Sequence, residues 1–419
     1  MRQLFFSIGA AGALLLLTSL PGQGQASQDK GVHFEHELSW TAIQAKAKAE
    51  NKYIFMDCFT TWCGPCRYMS TTIFPQEECG NFFNDKFVCV KVQLDTSAKD
   101  NDAVKSWYQD GHNLAERYNI RAYPTFLVFA PDGHIVHRIV GGGDAKSIIA
   151  RAQEAFDPNK QYYTLLQQYQ AGKKDSAFLR KMAEQSVQVY DMTTAREVSK
   201  AYFATQPNIY NTACLDLLDQ LTTRSIDDGF DVFLHHSREV DKIAGPGKAE
   251  KKVNEILLRE HVYPKIFGDN ATAPDWTALQ ASLAAIYPAQ APEVIEQGKV
   301  IYYQQKGDWA NFQTSVVAYM KKYGANASSD QLNDYAWTVF QKCPDMKCVT
   351  EALEWSKRSF KDNQNPAYMD TYANILYKMG KKDDAIAWEE KAIQLSDDAT
   401  RTSLQPTLDK MKKGEKTWD

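Results

Sequence analysis

Tyr53-Ile54-Phe55-Met56-Asp57-Cys58-Phe59-Thr60-Thr61-Trp62-Cys63-Gly64-Pro65-Cys66 runs from an apolar segment straight into two cysteines three residues apart. Tyr53 to Met56 has the pattern of a strand covered on both faces. A turn from that strand into a helix sets Cys63 at a helix N-terminus, where unpaired N–H groups and the helix dipole favour an anion. The thiolate is the reactive form of cysteine, so this placement lowers the Cys63 pKa and makes it a nucleophile near neutral pH. Cys66 follows one helical turn later, in reach of a mixed disulfide formed by Cys63. Gly64 and Pro65 keep the link tight, and a proline in the first helical turn loses no hydrogen bond. Trp62 offers a flat apolar surface beside the sulfur for docking a protein substrate. A structural zinc site needs two further ligands at matched spacing, and the sequence has none. A c-type haem site needs histidine after the second cysteine, where Arg67 stands. An inert structural disulfide stays open on spacing alone.

Outward from this turn, strands and helices alternate from His33 to Phe156, which predicts an α/β sandwich. Helices are expected over 40–50, 67–84, a stretch ending at Tyr118, and 145–156. Strands are expected over 53–56, 87–94, 125–129 and 135–140, the last two joined as a hairpin through Pro131-Asp132-Gly133. Of the eight cysteines, Cys58, Cys79, Cys89 and Cys214 read as buried thiols with no chemical task.

These residues resemble the thioredoxin superfamily over 40–156, in the manner of exported thiol:disulfide interchange domains. The resemblance implies a Cys63–Cys66 redox disulfide and no cofactor or metal. It also implies that Tyr123-Pro124-Thr125 is the cis-proline segment that faces the cysteines and pairs with substrate backbone. Asp57 is similar to the family's buried acid and Lys91 to its nearby lysine, so both are implied in proton transfer with Cys66. Phe59 departs from the tryptophan that many members carry. The stretch from Thr96 to His112, with Trp107 and Tyr108, is longer than in a minimal thioredoxin.

Beyond Asp157-Pro158-Asn159 strand signals stop, and the rest reads as successive amphipathic helices. Near the end the pattern repeats. Asn333-Asp334-Tyr335-Ala336-Trp337 recurs as Asp370-Thr371-Tyr372-Ala373-Asn374, and Glu351-Ala352-Leu353-Glu354-Trp355 as Asp384-Ala385-Ile386-Ala387-Trp388. The spacing is close to the roughly 34-residue period of tetratricopeptide repeats, a family that residues 329–395 resemble. The expected organisation is a thioredoxin-like domain over 33–156, degenerate helices over 157–328 and tetratricopeptide-like repeats over 329–419. Stacked helix pairs of this kind present a concave surface suited to an extended peptide. Cys343 and Cys348, flanking Pro344, are expected to close a structural loop disulfide in an oxidising compartment.

At the other end, Arg2, the apolar stretch from Leu4 to Leu20 and Gly24-Gln25-Ala26 read as a signal peptide over 1–26 cleaved near Ala26, which implies export to a periplasm. A net charge of −4, with 24% charged residues, provides no basic field for nucleic acid. The expected activity is a protein-disulfide oxidoreductase whose helical repeats dock clients or partners, with no membrane span after cleavage. Reduction in an oxidising compartment calls for a membrane electron-donor protein. The alternative is a redox-inactive adaptor or envelope assembly protein in which the repeats bind partners.

Overall fold

The computed structural model describes residues 30–267 and 274–418. The expected signal peptide lies outside the described residues. Two compact units divide between Asp191 and Met192.

In the first unit a five-stranded sheet has the order β1-β3-β2-β4-β5. β1 (Phe34–Glu35), β2 (Tyr53–Phe59) and β3 (Phe87–Gln93) run parallel, whereas β4 (Thr125–Phe129) and β5 (Ile135–Val140) are added antiparallel. Strand β2 has a neighbour on each side, which accounts for its continuous apolar run. Its alternating side chains feed two cores. Phe55 packs with Phe74, Phe83, Phe126 and Ile148 on one face, and Ile54 and Met56 pack with Ile43, Val90 and Leu127 on the other. Truncating a buried ring such as Phe55 to alanine costs about 3–5 kcal/mol. Asp57 is on the same side of β2 as Phe55, so a carboxyl is placed among aromatic rings.

Helix α1 (Trp40–Glu50) starts where the Ser39 hydroxyl accepts from the Ala42 N–H and stops at Asn51, whose φ is 50°. The helix expected over 67–84 is two elements. α2 (Gly64–Tyr68) opens into a π-helical turn at Met69–Ile73, and α3 (Glu77–Lys86) begins afresh after Pro75. Proline lacks the N–H that a continuous helix needs there. The long stretch after β3 forms α4 (Asp102–Ser106) and α5 (Tyr108–Arg117). Trp107 is buried between them and donates its indole N–H to the Leu38 carbonyl at 3.1 Å.

α6 (Ala145–Gln153) is followed by α7 (Tyr162–Gln170) and α8 (Ser176–Gln188), which belong to the same compact unit. The Tyr162 N–H donates to His137 Nδ1 on β5 at 3.1 Å, and the Tyr162 hydroxyl donates to Asp191 at 2.7 Å. The end of strand patterning at residue 157 therefore precedes the end of the unit by two helices.

The second unit is all-helical among the described residues. It comprises α9 (Met192–Phe203), α10 (Thr212–Leu221), α11 (Phe230–His235), α12 (Ser237–Ala244), α13 (Lys248–Leu257), α14 (Tyr263–Ile266) and α15 (Trp276–Ala284). The series continues with α16 (Ala291–Lys306), α17 (Trp309–Tyr323), α18 (Ser329–Lys342), α19 (Met346–Ser359), α20 (Pro366–Lys378), α21 (Lys382–Leu395) and α22 (Asp398–Lys413). The two sequence repeats correspond to the packed pairs α18–α19 and α20–α21. Fully buried Ala336, Ala352, Ala373 and Ala385 let these helices approach closely, and Gly380, at φ 81°, turns α20 into α21.

Candidate functional site

The loop after β2 is held before the first cysteine arrives. The Leu94 N–H donates to the Phe59 carbonyl at 2.9 Å. The Asp95 carboxylate accepts from the Thr61 N–H at 3.0 and 3.1 Å and from the Thr61 hydroxyl at 2.5 Å. Cys63 then takes the N-cap of α2, its sulfur accepting from the Cys66 N–H at 3.1 Å, with Pro65 in the first turn. The sulfur is therefore where a helix N-terminus stabilises negative charge. Cys63 and Cys66 are joined as a disulfide, with Cα atoms 5.3 Å apart.

Access to this disulfide is narrow. Cys63 is 4% exposed and Cys66 3%, while Trp62 beside them is 68% exposed. The Trp62 ring meets the Tyr123 ring edge-to-face, with centroids 5.7 Å apart. Tyr123–Pro124 is a cis peptide, as the family resemblance implies. Gly64 is exposed, and a β-carbon there would touch nothing within 4 Å. Glycine at this position thus serves neither the backbone nor packing within the chain.

Behind the dithiol, β2 and β3 pair Asp57 with Lys91. The Lys91 ammonium lies 3.5 Å from Asp57 Oδ2, donates to the Ser70 hydroxyl, and sits over the Phe34 and Phe59 rings at 5.1 and 5.3 Å. Asp57 is fully buried and its Oδ1 has no hydrogen-bond partner. Burial pushes its carboxyl up to about 6, against the opposing charge and hydrogen bond of Lys91. A carboxyl in that range gains and loses a proton near neutrality. The other nearby cysteines differ. Burial raises the Cys58 and Cys89 thiols far above the ordinary range and that of Cys79 to about 11.

The structure thus joins Cys63 to Cys66 and sets the neighbouring Trp62 against Tyr123, which precedes the cis Pro124, while Asp57 and Lys91 pair across β2 and β3. It leaves Cys343 and Cys348 in the other unit. The disulfide expected between those two is not formed; both are buried thiols in hydrogen-bond contact. The sequence placed both in a loop, but α19 begins at Met346 and carries Cys348 inside it, while Cys343 caps the end of α18. Sequence reasoning missed Ser70, Asp95 and the Trp62–Tyr123 contact. The Thr60-Thr61 pair before Trp62 was the available signal for a loop needing an acceptor.

No cluster of three or more His, Cys, Asp or Glu side chains suited to a metal occurs among the described residues. Among them no helix is long and apolar enough to cross a membrane.

A reactive cysteine pair at a helix N-terminus, set in this sheet, defines the class of proteins that act by thiol–disulfide redox chemistry. A family model described as a thioredoxin-like domain matches residues 41–156. Thioredoxin H-type of Chlamydomonas reinhardtii is 33% identical over 112 residues, which cover 27% of this chain and 83% of that protein. The chloroplastic thioredoxin Y of Oryza sativa subsp. japonica is 29% identical over 122 residues, 29% of this chain and 62% of that protein. A protein of Bacteroides thetaiotaomicron solved in solution is 32% identical, covering 31% of this chain and 98% of that one, with a TM-score of 0.26. Through this segment the chain belongs to the thioredoxin family. For three curated relatives, the rice protein included, the chain spans 62%, 54% and 51% of their length.

Proposed function

We propose that the protein is an exported thiol:disulfide oxidoreductase of the periplasm, in which the helical unit docks clients or partners. The observation that carries this reading is the dithiol at the N-cap of α2, flanked by the exposed Trp62 and backed by Asp57. In the reduced protein the Cys63 thiolate attacks one sulfur of a client disulfide and expels the other as a thiolate. The Cys66 thiol passes its proton to the Asp57 carboxylate and attacks Cys63 Sγ. The Cys63–Cys66 disulfide forms, and the second client sulfur leaves with the proton returned from Asp57. The client disulfide has become a thiol and a thiolate, which takes from water the proton that Cys63 gave up on ionising, and the protein dithiol has become a disulfide. Lys91 balances the Asp57 charge between these steps. Return to the dithiol needs a reduced dithiol protein as donor, and a membrane electron carrier suits that compartment. The paired helices α18–α19 and α20–α21 act as tetratricopeptide-like repeats in the docking role.

Insulin-disulfide reduction by the full chain tests the chemistry. Cys63→Ser abolishes turnover, and Cys66→Ser accumulates client mixed disulfides on Cys63. Unchanged turnover in Cys63→Ser protein overturns the reading. Equilibration of the dithiol with glutathione buffers then gives its reduction potential and the direction of exchange, and cell fractionation tests the compartment.

A further inference from the structure

The second unit holds an open groove of about 580 Å³ whose lining comes from α13, α16, α17 and α18, within the size range of ligand sites. Its charge is one-sided. Lys251 is engaged by Glu255 at 3.8 Å and Lys322 by the Tyr323 hydroxyl. Glu250, Glu293, Asp330 and Asp334 have no lysine or arginine in ion-pair reach among the described residues. They also crowd one another. After burial, Glu250 is the main influence holding the Glu293 carboxyl above its usual range, and Asp330 has the same effect on Asp334.

Asn254 provides an independent sign of a ligand. It lines the groove, is 3% exposed, and hydrogen-bonds through its side chain to Glu293. Its Oδ1 is buried and has no partner. Buried acceptors are paired as a rule, so an unpartnered one in the lining calls for a donor from outside the chain. The Tyr319 hydroxyl lies 3.4 Å from Glu293, and the Tyr335 ring shares the lining. Acceptors, carboxylates and aromatic walls together are the surroundings that hold an ammonium or guanidinium group.

We propose that this groove binds a lysine or arginine side chain of a basic peptide segment, with Glu293 and Asn254 receiving the cation. Gln297 and Gln331, also in the lining, carry both donors and acceptors and so match a peptide backbone, which a free polyamine lacks. The assignment deepens the docking role and rests on that reading, but it involves no thiol.

The test is fluorescence anisotropy of the full chain with a labelled short peptide rich in lysine and arginine, against its glutamate counterpart, with spermidine as competitor. The expected result is saturable, salt-weakened binding of the basic peptide alone. Glu293→Gln and Asp334→Asn should each weaken it about tenfold, with unchanged circular dichroism. Asp334 is exposed, so its variant carries the test if Glu293→Gln fails to fold. No saturable binding, or binding indifferent to the substitutions in folded protein, overturns the assignment. Displacement by spermidine at peptide-equivalent concentration overturns it too. None of these outcomes bears on insulin reduction, which tests the oxidoreductase chemistry separately.

Discussion

The two units each bring a pair of cysteines together, and the helix ends that hold them are opposite. Cys63 caps the N-terminus of α2, whereas Cys343 caps the C-terminus of α18. The first position stabilises a thiolate and the second opposes one. In the second unit the Lys378 ammonium covers that helix end, donating to the Cys343 carbonyl at 3.1 Å and to the Phe340 carbonyl. The hydrogen bond from Cys348, and then Lys378, bring the Cys343 thiol down, while Cys348 goes up. The buried acids differ in the same way. Asp57 has a lysine at 3.5 Å, but Glu389, fully buried in α21, faces another carboxyl, Asp370. Proximity of sulfurs therefore does not by itself make a disulfide: Cys63 and Cys66 are joined at a helix N-terminus, whereas Cys343 and Cys348 stay thiols at a helix C-terminus even with Lys378 beside them.

The largest expected effect follows directly. Cys63→Ser should lower insulin reduction by about a thousandfold or more, as for loss of other nucleophiles. Cys343→Ser and Cys348→Ser should leave turnover within about twofold, since both thiols are buried in the helical unit. Alkylation after denaturation of the oxidised protein, followed by peptide mass spectrometry, should find Cys63 linked to Cys66 and Cys343 and Cys348 alkylated. A linked Cys343–Cys348 peptide would erase the contrast between the pairs.

Next in size is Asp57→Asn. The Asp57 pKa rises from 3.8 to about 6 because of burial. A folded value above the unfolded one means the favourable contribution is complete below about pH 4 and is lost as pH rises through about 6. Removing the ionisable group should therefore stabilise the first unit at pH 8 by about 3 kcal/mol and give nothing at pH 4. Urea unfolding at the two pH values measures this. The same variant should slow the Cys66 step and flatten its pH profile between about 5 and 7, a change that a purely structural role for Asp57 would not produce.

How much of this was legible in sequence depends on whether the determining contacts are local. The strand, the turn and the N-cap of α2 are consecutive, so residues 53–66 display them directly. Asp57 and Lys91 were legible only through resemblance, because parallel pairing of β2 with β3 joins residues 34 positions apart. Helices α7 and α8 were assigned beyond the first unit because their helical period does not say which surface they cover. His137, buried on β5 and receiving the Tyr162 N–H, fixes that surface. The Cys343–Cys348 pair misled for a related reason. Pro344 marks a turn, but Asp345 accepts from the Lys347 N–H and starts α19 sooner than the spacing of the cysteines suggests.

An effect of the same sign is expected at the second buried acid. Burial, followed by Asp370, holds Glu389 protonated well above the usual carboxylate range. By the same sign rule its contribution is present at low pH and lost as pH rises. Glu389→Gln should raise the stability of the second unit at pH 8 and leave it unchanged at pH 4. Asp370 and Asn374, which bond to each other at 2.9 Å, keep the cavity polar in the variant. A gain equal at both pH values would show that packing, and not the carboxyl pair, sets the cost. The parallel with Asp57 would then fail.

Gly64→Ala should have the smallest effect on stability and the sharpest bearing on access. Position 64 lies in the first turn of α2 without a left-handed φ, and a β-carbon there meets no atom within 4 Å. Alanine removes backbone freedom from the unfolded chain, so stability should rise by about 0.5 kcal/mol. Any loss in insulin reduction then comes from the client's side of the contact, because nothing inside the protein is disturbed. A KM raised severalfold with kcat retained would mean that the client backbone passes over residue 64 on its way to Cys63. An unchanged KM would move the approach to the Trp62–Tyr123 side, where the exposed indole already offers the larger surface.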